Sequence, residues 1–339
     1  MKENYRENER KKAIDLVKNT DLFSHEKSGL ILKWKGKKYP KDEILLDGIS
    51  NIYEPIRKDV LYYFIGNNIS FWHVPKAKET VCKPTGHILS SQVCCINHLF
   101  PIRHDKENVL KIAKVVSSGF IDVLPITTDK YMPDYIQFES VSDNDHLNEG
   151  QPTRGRNCTS IDALIYAVHS NGKKYIIPIE WKYTENYGNK DKSVEDRNGE
   201  PKGNKLRGNE RLKRYTKLID NSKFLKHSSP HSDSIYFLEP FYQLMRQTLW
   251  AEQMLEHKNS ERIKADDYIH VHIIPNENNK LLNKKYKVSN KSMKEIWLDT
   301  LEDKEKYIVI SPKDFIKNID KNKYGDLLEY IKNRYWRVD

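Results

Sequence analysis

The stretch TSIDALIYAVHSNGKKYIIPIEWK, residues 159–182, contains two apolar runs separated by the short loop SNG at 170–172. Runs rich in β-branched and aromatic residues on either side of such a loop predict two antiparallel strands joined as a hairpin. The second run ends without a break in Glu180 and Lys182. Buried charges are unfavourable unless they have partners, so this strand end is the first candidate site in the chain.

The length of the loop decides which residues of the hairpin face each other. A three-residue loop with Gly172 in the left-handed conformation pairs His169 with Lys173 and places Asp162 directly opposite Glu180. A two-residue Asn-Gly loop shifts the register by one residue and turns Asp162 to the opposite face. The chemistry described next requires the three-residue loop or a bulge.

Side chains alternate along a strand, so Asp162, Glu180 and Lys182 share one face and Trp181 takes the other. Opposed residues have Cβ atoms about 4.5–5.5 Å apart, which lets two carboxylates hold one divalent cation. Without a cation the carboxylates repel each other, and Mg²⁺ prefers oxygen ligands. The backbone carbonyl of Trp181 lies near the same place. Lys182 is suited to orient an attacking water or to offset phosphate charge.

The Glu-x-Lys spacing alone is a weak signal, because it recurs at Glu9/Lys11, Glu200/Lys202, Glu256/Lys258 and Glu302/Lys304. These four pairs lie in charged surroundings, where a surface ion pair is the ordinary interpretation. Of the five pairs, only Glu180/Lys182 follows an apolar strand and has an aspartate at the matching position of a hairpin partner. The alternative interpretation is a buried ion cluster without catalytic role, which is energetically unfavourable.

Other segments supply the rest of the fold. Apolar and polar residues at helical spacing predict helices in 86–100 with Ser90 or Ser91 as the cap, 210–220, 239–258 and 324–337. The segment 59–75 is compatible with a hairpin, but we favour a helix in 59–66 followed by a short strand. Strands are predicted after residue 66, in 133–141 ending near Glu139, and in 267–275, where the alternation of His270 and His272 indicates one exposed face. The charged segment 186–209 is expected to be a mobile loop.

These elements predict an α/β (α+β) fold, with a central mixed sheet flanked by helices and with N- and C-terminal additions. We divide the chain into an N-terminal accessory region (1–85), a core (86–276) and a C-terminal extension packed on the core (277–339). The division places the hairpin, and with it the candidate site, inside the core.

Composition limits the class of protein. The 339 residues are 37% hydrophobic and carry a formal net charge of +10, which favours polyanionic partners such as nucleic acid. No segment approaches the roughly 20 apolar residues that span a bilayer, and the N-terminus has no apolar secretory signal. The four cysteines include no Cys-x-x-Cys pair, so we expect a reducing cytoplasmic location and buried thiols.

Asp162 followed by Glu180-Trp181-Lys182 at the end of the neighbouring strand resembles the PD-(D/E)xK nuclease superfamily. More narrowly, RGRNCTSIDALI, IPIEWKYTENYG, GHILSSQVCCINHLF and YQLMRQTLWAEQM together resemble a family of bacterial type II-like restriction endonucleases, over roughly residues 59–254. One position departs from the literal motif, because Ile161 precedes the aspartate where the motif has proline.

The resemblance implies a restriction-endonuclease-like core, dependence on Mg²⁺ with Mn²⁺ as a substitute, and phosphodiester hydrolysis that leaves 5′-phosphates. Asp162 and Glu180 match the metal-binding acids of the superfamily, and Lys182 matches its catalytic lysine. Related nucleases place a glutamine on a helix near the metal, which makes Gln243 an auxiliary candidate. Gln92, on the Ser-capped helix, is a second.

Further candidates surround the hairpin, although each is also compatible with an ordinary surface residue. Glu139, at a strand end, and Glu149, in a loop, are candidate additional metal ligands. Basic residues suited to DNA phosphates lie before the hairpin and in the segment after it, at Arg154, Arg156, Lys205, Arg207, Arg211, Lys213 and Arg214.

The sequence therefore predicts a Mg²⁺-dependent DNA endonuclease of the restriction type acting on double-stranded DNA. Two alternatives stay open: a repair or recombination nuclease that reads DNA structure, and a nucleic-acid-binding protein that does not cleave. A homodimer, a cognate DNA methyltransferase as functional partner, and dependence on methylated bases are open as well. The recognition sequence is not readable from the chain.

Overall fold

The computed structural model describes residues 4–23, 29–34, 37–71, 83–126, 132–150, 154, 158–188, 190–194, 207–227, 234–287 and 289–336. The α-helices are α1 (Tyr5–Asn19), α2 (Arg57–Gly66), α3 (Ser91–Leu99), α4 (Lys106–Val116), α5 (Arg207–Asp220), α6 (Phe241–Glu256), α7 (Asn279–Leu282), α8 (Met293–Thr300), α9 (Pro312–Phe315) and α10 (Gly325–Tyr335). The strands are β1 (Gly29–Trp34), β2 (Lys37–Leu45), β3 (Phe120–Leu124), β4 (Ile136–Ser140), β5 (Ile161–His169), β6 (Lys174–Trp181), β7 (Asp267–Tyr268), β8 (His270–Ile273) and β9 (Tyr307–Ile310).

The central hairpin of β5 and β6 has the register of the three-residue loop. Ala163 pairs with Ile179, and the His169 amide donates to the Lys173 carbonyl over 3.0 Å. Gly172 has a φ of 81°, the left-handed conformation that glycine adopts without strain. The predicted register is therefore confirmed, and the two-residue alternative is wrong.

The hairpin lies at the centre of a seven-stranded sheet of order β3-β5-β6-β8-β9, with β4 also paired to β5 and β7 to β6. β5 is antiparallel to β3, β4 and β6. β6 runs parallel to β7 and β8, and β8 runs parallel to β9. Helices pack on the sheet, among them α3 and α6. The predicted α+β class with a central mixed sheet is confirmed.

Each face of the sheet carries its own hydrophobic core. Ile177, Ile179 and Trp181 of β6 belong to the core that includes α3 and α10. Ile176 of the same strand belongs to the core that includes α6. Because side chains alternate along a strand, the even-numbered Glu180 lies on the α6 side, opposite to Trp181.

The two helices that flank the hairpin follow from simple sequence signals. Ser90 is the N-cap of α3, and its hydroxyl accepts from the Val93 amide over 3.3 Å, as predicted. α6 is amphipathic and buries most of its apolar side chains against the sheet. The predicted helices in 59–66, 210–220 and 324–337 correspond to α2, α5 and α10. The strand predicted after residue 66 and most of the segment 186–209 lie outside the described residues.

The interpretation of β8 as a strand with an exposed face is wrong. His270 and His272 are each 1% exposed, and their rings lie 5.6 and 6.1 Å from the ring of Tyr307 in β9. Burial lowers the pKa of His270 to about 4 and the pKa of His272 well below its usual range. Both imidazoles are therefore neutral at neutral pH.

The terminal regions are closely joined to the core elements. β9, in the predicted C-terminal extension, is a strand of the central sheet, and residues of α1 and α10 share a hydrophobic core with α3. The division at residues 85 and 276 stays a prediction. Cys94 and Cys95 are free and buried in α3. None of the helices in the described part of the chain has both the length and the apolar character needed to cross a membrane.

Candidate active site

Asp162 and Glu180 lie at the end of the hairpin away from its loop, on the α6 side of the sheet. The Trp181 amide donates to Asp162 Oδ2 over 2.7 Å, which fixes the aspartate beside the end of β6. The Lys182 amide donates to the Ile273 carbonyl over 2.8 Å, so pairing with β8 holds the lysine backbone in place. Asp162, Glu180 and Lys182 all line one cavity of about 540 Å³.

Side chains from α6 complete the contacts of the buried pair Glu180 and Lys182. Lys182 Nζ donates to Glu180 Oε1 and, over 2.7 Å, to Gln243 Oε1. Gln247 Nε2 donates to Glu180 Oε2. The Tyr187 ring lies 5.4 Å from Lys182 Nζ. The predicted auxiliary residue Gln243 thus contacts Lys182 directly.

The electrostatics of the cavity favour a cation. Burial, with the carboxylates of Glu180 and Glu139 nearby, raises the pKa of Asp162 well above its usual range. Burial also raises the pKa of Glu139, although hydrogen bonds from Gln92 and Ser160 oppose the shift. Burial lowers the pKa of Lys182, but Glu180 and the other nearby acidic groups together outweigh it, and the net pKa is well above the usual value. The cavity therefore combines crowded carboxyl groups with a protonated lysine.

Glu139 has the only positive φ among the strand residues of the described chain, at 49°. Such a conformation is strained for a non-glycine residue and persists where surrounding contacts impose it. Gln92 Nε2 donates to Glu139 Oε1 over 2.6 Å, and Ser160 Oγ donates to Oε2 over 2.8 Å. Glu139 and Gln92, both predicted as candidates, therefore lie together in the wall of the same cavity as Asp162.

The donor set suits a hard divalent ion with few protein ligands. Within the described residues, no three or more His, Cys, Asp and Glu side chains are grouped so that they could hold one metal ion. Two carboxylates, Asp162 and Glu180, are sufficient for Mg²⁺, which keeps several waters and binds substrate phosphates. Each Glu180 oxygen accepts one hydrogen bond, and a carboxylate has about four lone-pair sites in all, so acceptor capacity remains.

Glu149 is not among the residues that line the cavity. Its Oε1 accepts from Thr159 Oγ1 over 2.7 Å and from Arg246 Nε over 3.1 Å, and Tyr215 and the Thr159 amide also donate to it. Burial raises the pKa of Glu149, but the Arg246 charge and the hydrogen bonds from Tyr215 and Thr159 together outweigh it, and the net pKa lies below the usual value. These contacts make Glu149 an ion-pair partner of Arg246. Its role as a metal ligand stays a prediction.

The predicted DNA-binding residues are scattered. Arg154 donates to the Glu139 carbonyl over 3.1 Å, to Asn67 Oδ1 over 2.6 Å and to the Tyr63 hydroxyl over 2.8 Å, so it supports the strained residue. Arg156 and Lys205 lie outside the described residues. On α5, Arg207 and Lys213 are exposed, and Arg211 and Arg214 are partly exposed. The helix therefore presents several cations to solvent.

Sequence reasoning missed Gln247, Arg246 and Tyr187, all of which line the cavity. Gln243 and Gln247 are one helical turn apart, and Arg246 lies between them on a helix that is otherwise largely buried. Polar residues three and four apart on such a helix lie on one face, and that was the available signal. The docking of α6 on the sheet determines which strand end this face covers. No local sequence pattern predicts that docking.

Comparison with protein families now identifies the class of the protein. Residues 35–336 match the model of a family of restriction endonucleases, so the protein is a restriction-type nuclease. The family is described as restriction endonuclease associating with ARP, and the chain belongs to it. The match extends beyond residues 59–254, the part of the chain that contains the motifs quoted above. No curated protein matches the chain, and no solved structure matches it.

Proposed function

We propose that the protein is a DNA endonuclease that depends on a divalent metal ion and hydrolyses phosphodiester bonds at Asp162, Glu180 and Lys182. The observation that carries the proposal is the cavity itself. One carboxylate from each strand of a hairpin and a protonated lysine line it together, in a chain of a restriction endonuclease family. The net charge of +10 favours DNA as the polyanionic substrate.

Each side chain has a role in this proposal. Asp162 and Glu180 would hold the ion together with the Trp181 carbonyl, and Glu139 lies beside them in the cavity wall. When bound, Mg²⁺, or Mn²⁺ in its place, polarises the scissile phosphate and lowers the pKa of a bound water. Lys182, oriented by Gln243, offsets the charge that develops on the phosphate. The resemblance to the PD-(D/E)xK superfamily further implies products with 5′-phosphates.

The DNA contacts proposed for the basic residues rest on α5. Arg207, Lys213 and Arg214 lie on this helix with Arg211, and a row of cations of this kind binds phosphates without reading sequence. Arg156 and Lys205 are further residues for which we propose DNA phosphate contacts. A homodimer would supply one active site for each DNA strand, and a cognate methyltransferase would protect the host DNA.

Cleavage of a supercoiled plasmid with Mg²⁺ tests the assignment. We expect the wild type to cut, and Asp162→Ala and Lys182→Ala to lower the rate by about two orders of magnitude or more, the usual effect of losing a charge-stabilising group. Lys258→Ala is the matched control. It has the same Glu-x-Lys spacing, but its ammonium is exposed and pairs with Asp266, so cutting should be unchanged. Equal cutting by all four proteins would refute the proposal.

Digestion of a mixed-sequence genome separates the restriction type from the alternatives. Discrete fragments indicate recognition of a sequence, whereas a smear or cutting confined to branched DNA indicates recognition of structure. Digestion of methylated and unmethylated DNA in parallel tests dependence on modified bases. DNA binding in Ca²⁺ with no cutting in Mg²⁺ on any substrate would instead favour a binding protein.

A further inference from the structure

Arg246 of α6 is a cation in the cavity wall that the mechanism above does not use. It lines the same cavity as Asp162 and Lys182, and its side chain is 23% exposed. Of the described arginines, Arg6 and Arg246 line the cavity. Arg246 lies on the helix that also supplies Gln243 and Gln247 to the buried ion pair. The cavity therefore contains the Arg246 guanidinium as well as the carboxylates and Lys182.

Contacts with Glu149 and Thr159 hold the guanidinium of Arg246 in one orientation. Its Nε donates to Glu149 Oε1 over 3.1 Å and to Thr159 Oγ1 over 3.0 Å, and its Nη2 lies 3.0 Å from Glu149 Oε1. The Glu149 side chain is only 3% exposed. The guanidinium is planar. Because Nε and Nη2 face the buried Glu149 carboxylate, the opposite edge of the guanidinium is directed away from Glu149.

The outer side of this fork retains donor capacity. Among the described residues, Arg246 Nη1 has no hydrogen-bond partner. The charge of Glu149 is also shared, since Tyr215, the Thr159 amide and the Thr159 hydroxyl donate to the same carboxylate. The carboxylate is therefore fixed by several donors, and it holds the inner edge of the Arg246 fork in place.

A second arginine connects this position to the basic face of α5. The Arg246 guanidinium carbon lies 5.5 Å from the Tyr242 ring centroid, and the Arg211 guanidinium carbon lies 5.4 Å from the same centroid. Arg211 is anchored by donation to the Lys192 carbonyl over 2.9 Å. The two cations therefore flank one aromatic ring, and together they join the catalytic cavity to the helix proposed to contact DNA.

We propose that Arg246 binds a phosphate of the DNA strand that occupies the cavity, and that Glu149 is a positioning residue that sets the direction of its guanidinium. Arg211 then receives a further phosphate of the same strand as it leaves the cavity for α5. The ligand is a nucleic-acid phosphodiester, and the assignment rests on the nuclease function proposed above. The competing explanation is an ion pair that only stabilises the fold.

The test combines DNA binding, which needs no cleavage, with cleavage in Mg²⁺. A fluorescent duplex of mixed sequence is titrated in Ca²⁺ at salt concentrations between about 50 and 200 mM. We expect Arg246→Gln to bind about tenfold more weakly and to lower the slope of log K against log salt by about one, the value for one lost phosphate contact. Lys323→Gln, which removes an exposed cation from an ion pair with Asp105, should leave both unchanged.

Two conservative variants separate positioning from stability. Arg246→Lys keeps the charge and should keep the salt slope, but it should lower kcat/KM about tenfold because lysine lacks the planar fork. Glu149→Gln keeps Arg246 and its charge. The slope of log K against log salt should therefore equal that of the wild type, while kcat/KM falls. Either variant also keeps the proposal testable if Arg246→Gln does not fold.

The outcomes distinguish the two proposals. If the wild type binds and cuts DNA, while the folded variants at position 246 match it in salt slope and kcat/KM, Arg246 is a structural residue and only this inference fails. If the wild type neither binds the duplex nor cuts DNA, the proposed nuclease function fails with it. A lower salt slope for Arg246→Gln alone, with cleavage reduced in all three variants, supports the assignment.

Discussion

At the scale of single residues, Asp162 is unfavourable for folding until a cation binds. Its carboxyl group is buried near Glu180 and Glu139, and both factors raise its pKa. A group whose folded pKa is raised binds more protons in the folded state, so it lowers stability as pH rises above its ordinary pKa. The crowded carboxyl groups proposed to bind the metal ion thus lower the stability of the metal-free protein.

Asp162→Asn tests this conflict directly. Asparagine keeps the shape and an acceptor for the Trp181 amide but carries no charge. In EDTA, we expect the variant to have a Tm higher than the wild type by about 2 °C at pH 7, the shift for roughly 1 kcal/mol in a large domain, and the advantage should vanish below about pH 4. Thermal unfolding followed at both pH values measures the difference.

Asp266→Asn is the control, because the pKa of Asp266 is shifted in the opposite direction to that of Asp162. Hydrogen bonds from Lys258 and the Lys174 amide lower the pKa of Asp266, so its charge is favourable and its removal should not stabilise the protein at pH 7. If Asp162→Asn were no more stable than the wild type at any pH, the carboxyl groups would not be in conflict, and the electrostatic argument for a cation would fail.

At the scale of elements, the hairpin loop sets the register of the site. Gly172 has a φ of 81°, and a Cβ added there meets no atom within 4 Å. The effect of Gly172→Ala should therefore come from the backbone alone. We expect it to lower the free energy of unfolding by about 1 kcal/mol, as measured by urea denaturation.

Gly66 provides the matched comparison for that substitution. It also has open space around an added Cβ, but it lies in α2 without a positive φ. Gly66→Ala should raise the free energy of unfolding by about 0.5–1 kcal/mol, because alanine favours helices. Equal effects of the two substitutions would mean that the left-handed turn does not fix the hairpin.

The same element scale explains what the sequence could predict. The hairpin, its register, the Ser90 cap and α6 follow from local signals, and Asp162 and Glu180 could be paired because strand periodicity is strict. The burial of His270 could not be inferred, since its ring packs against Tyr307 of β9, which lies much further along the chain. Arg246 and Gln247 were missed because the docking of α6 is a tertiary property.

At the scale of the whole molecule, Arg334 connects distant parts of the chain. This arginine of α10 is 6% exposed, and its guanidinium donates over 2.6 Å to the carbonyl of Asn51 and also to the Asn51 side chain and the Tyr330 hydroxyl. Asn97 of α3 contacts Asn51 and Tyr330 as well. One polar network therefore holds the C-terminal helix, the N-terminal region and α3 together.

Arg334→Ala should lower the free energy of unfolding by about 2–4 kcal/mol, because it leaves a cavity and unsatisfied polar groups. Lys332→Ala, at an exposed position of the same helix, should change it by less than about 0.5 kcal/mol. Urea denaturation of both variants measures the contrast. Similar stabilities would mean that α10 contributes little to the folded molecule.

The location of a bound metal ion tests the central claim most directly. Crystals soaked in Mn²⁺ should give an anomalous difference peak between the carboxylates of Asp162 and Glu180, and crystals of Asp162→Asn should lose it. A Mn²⁺ peak elsewhere in the wild type, with Glu180 still bonded only to Lys182 and Gln247, would contradict the account.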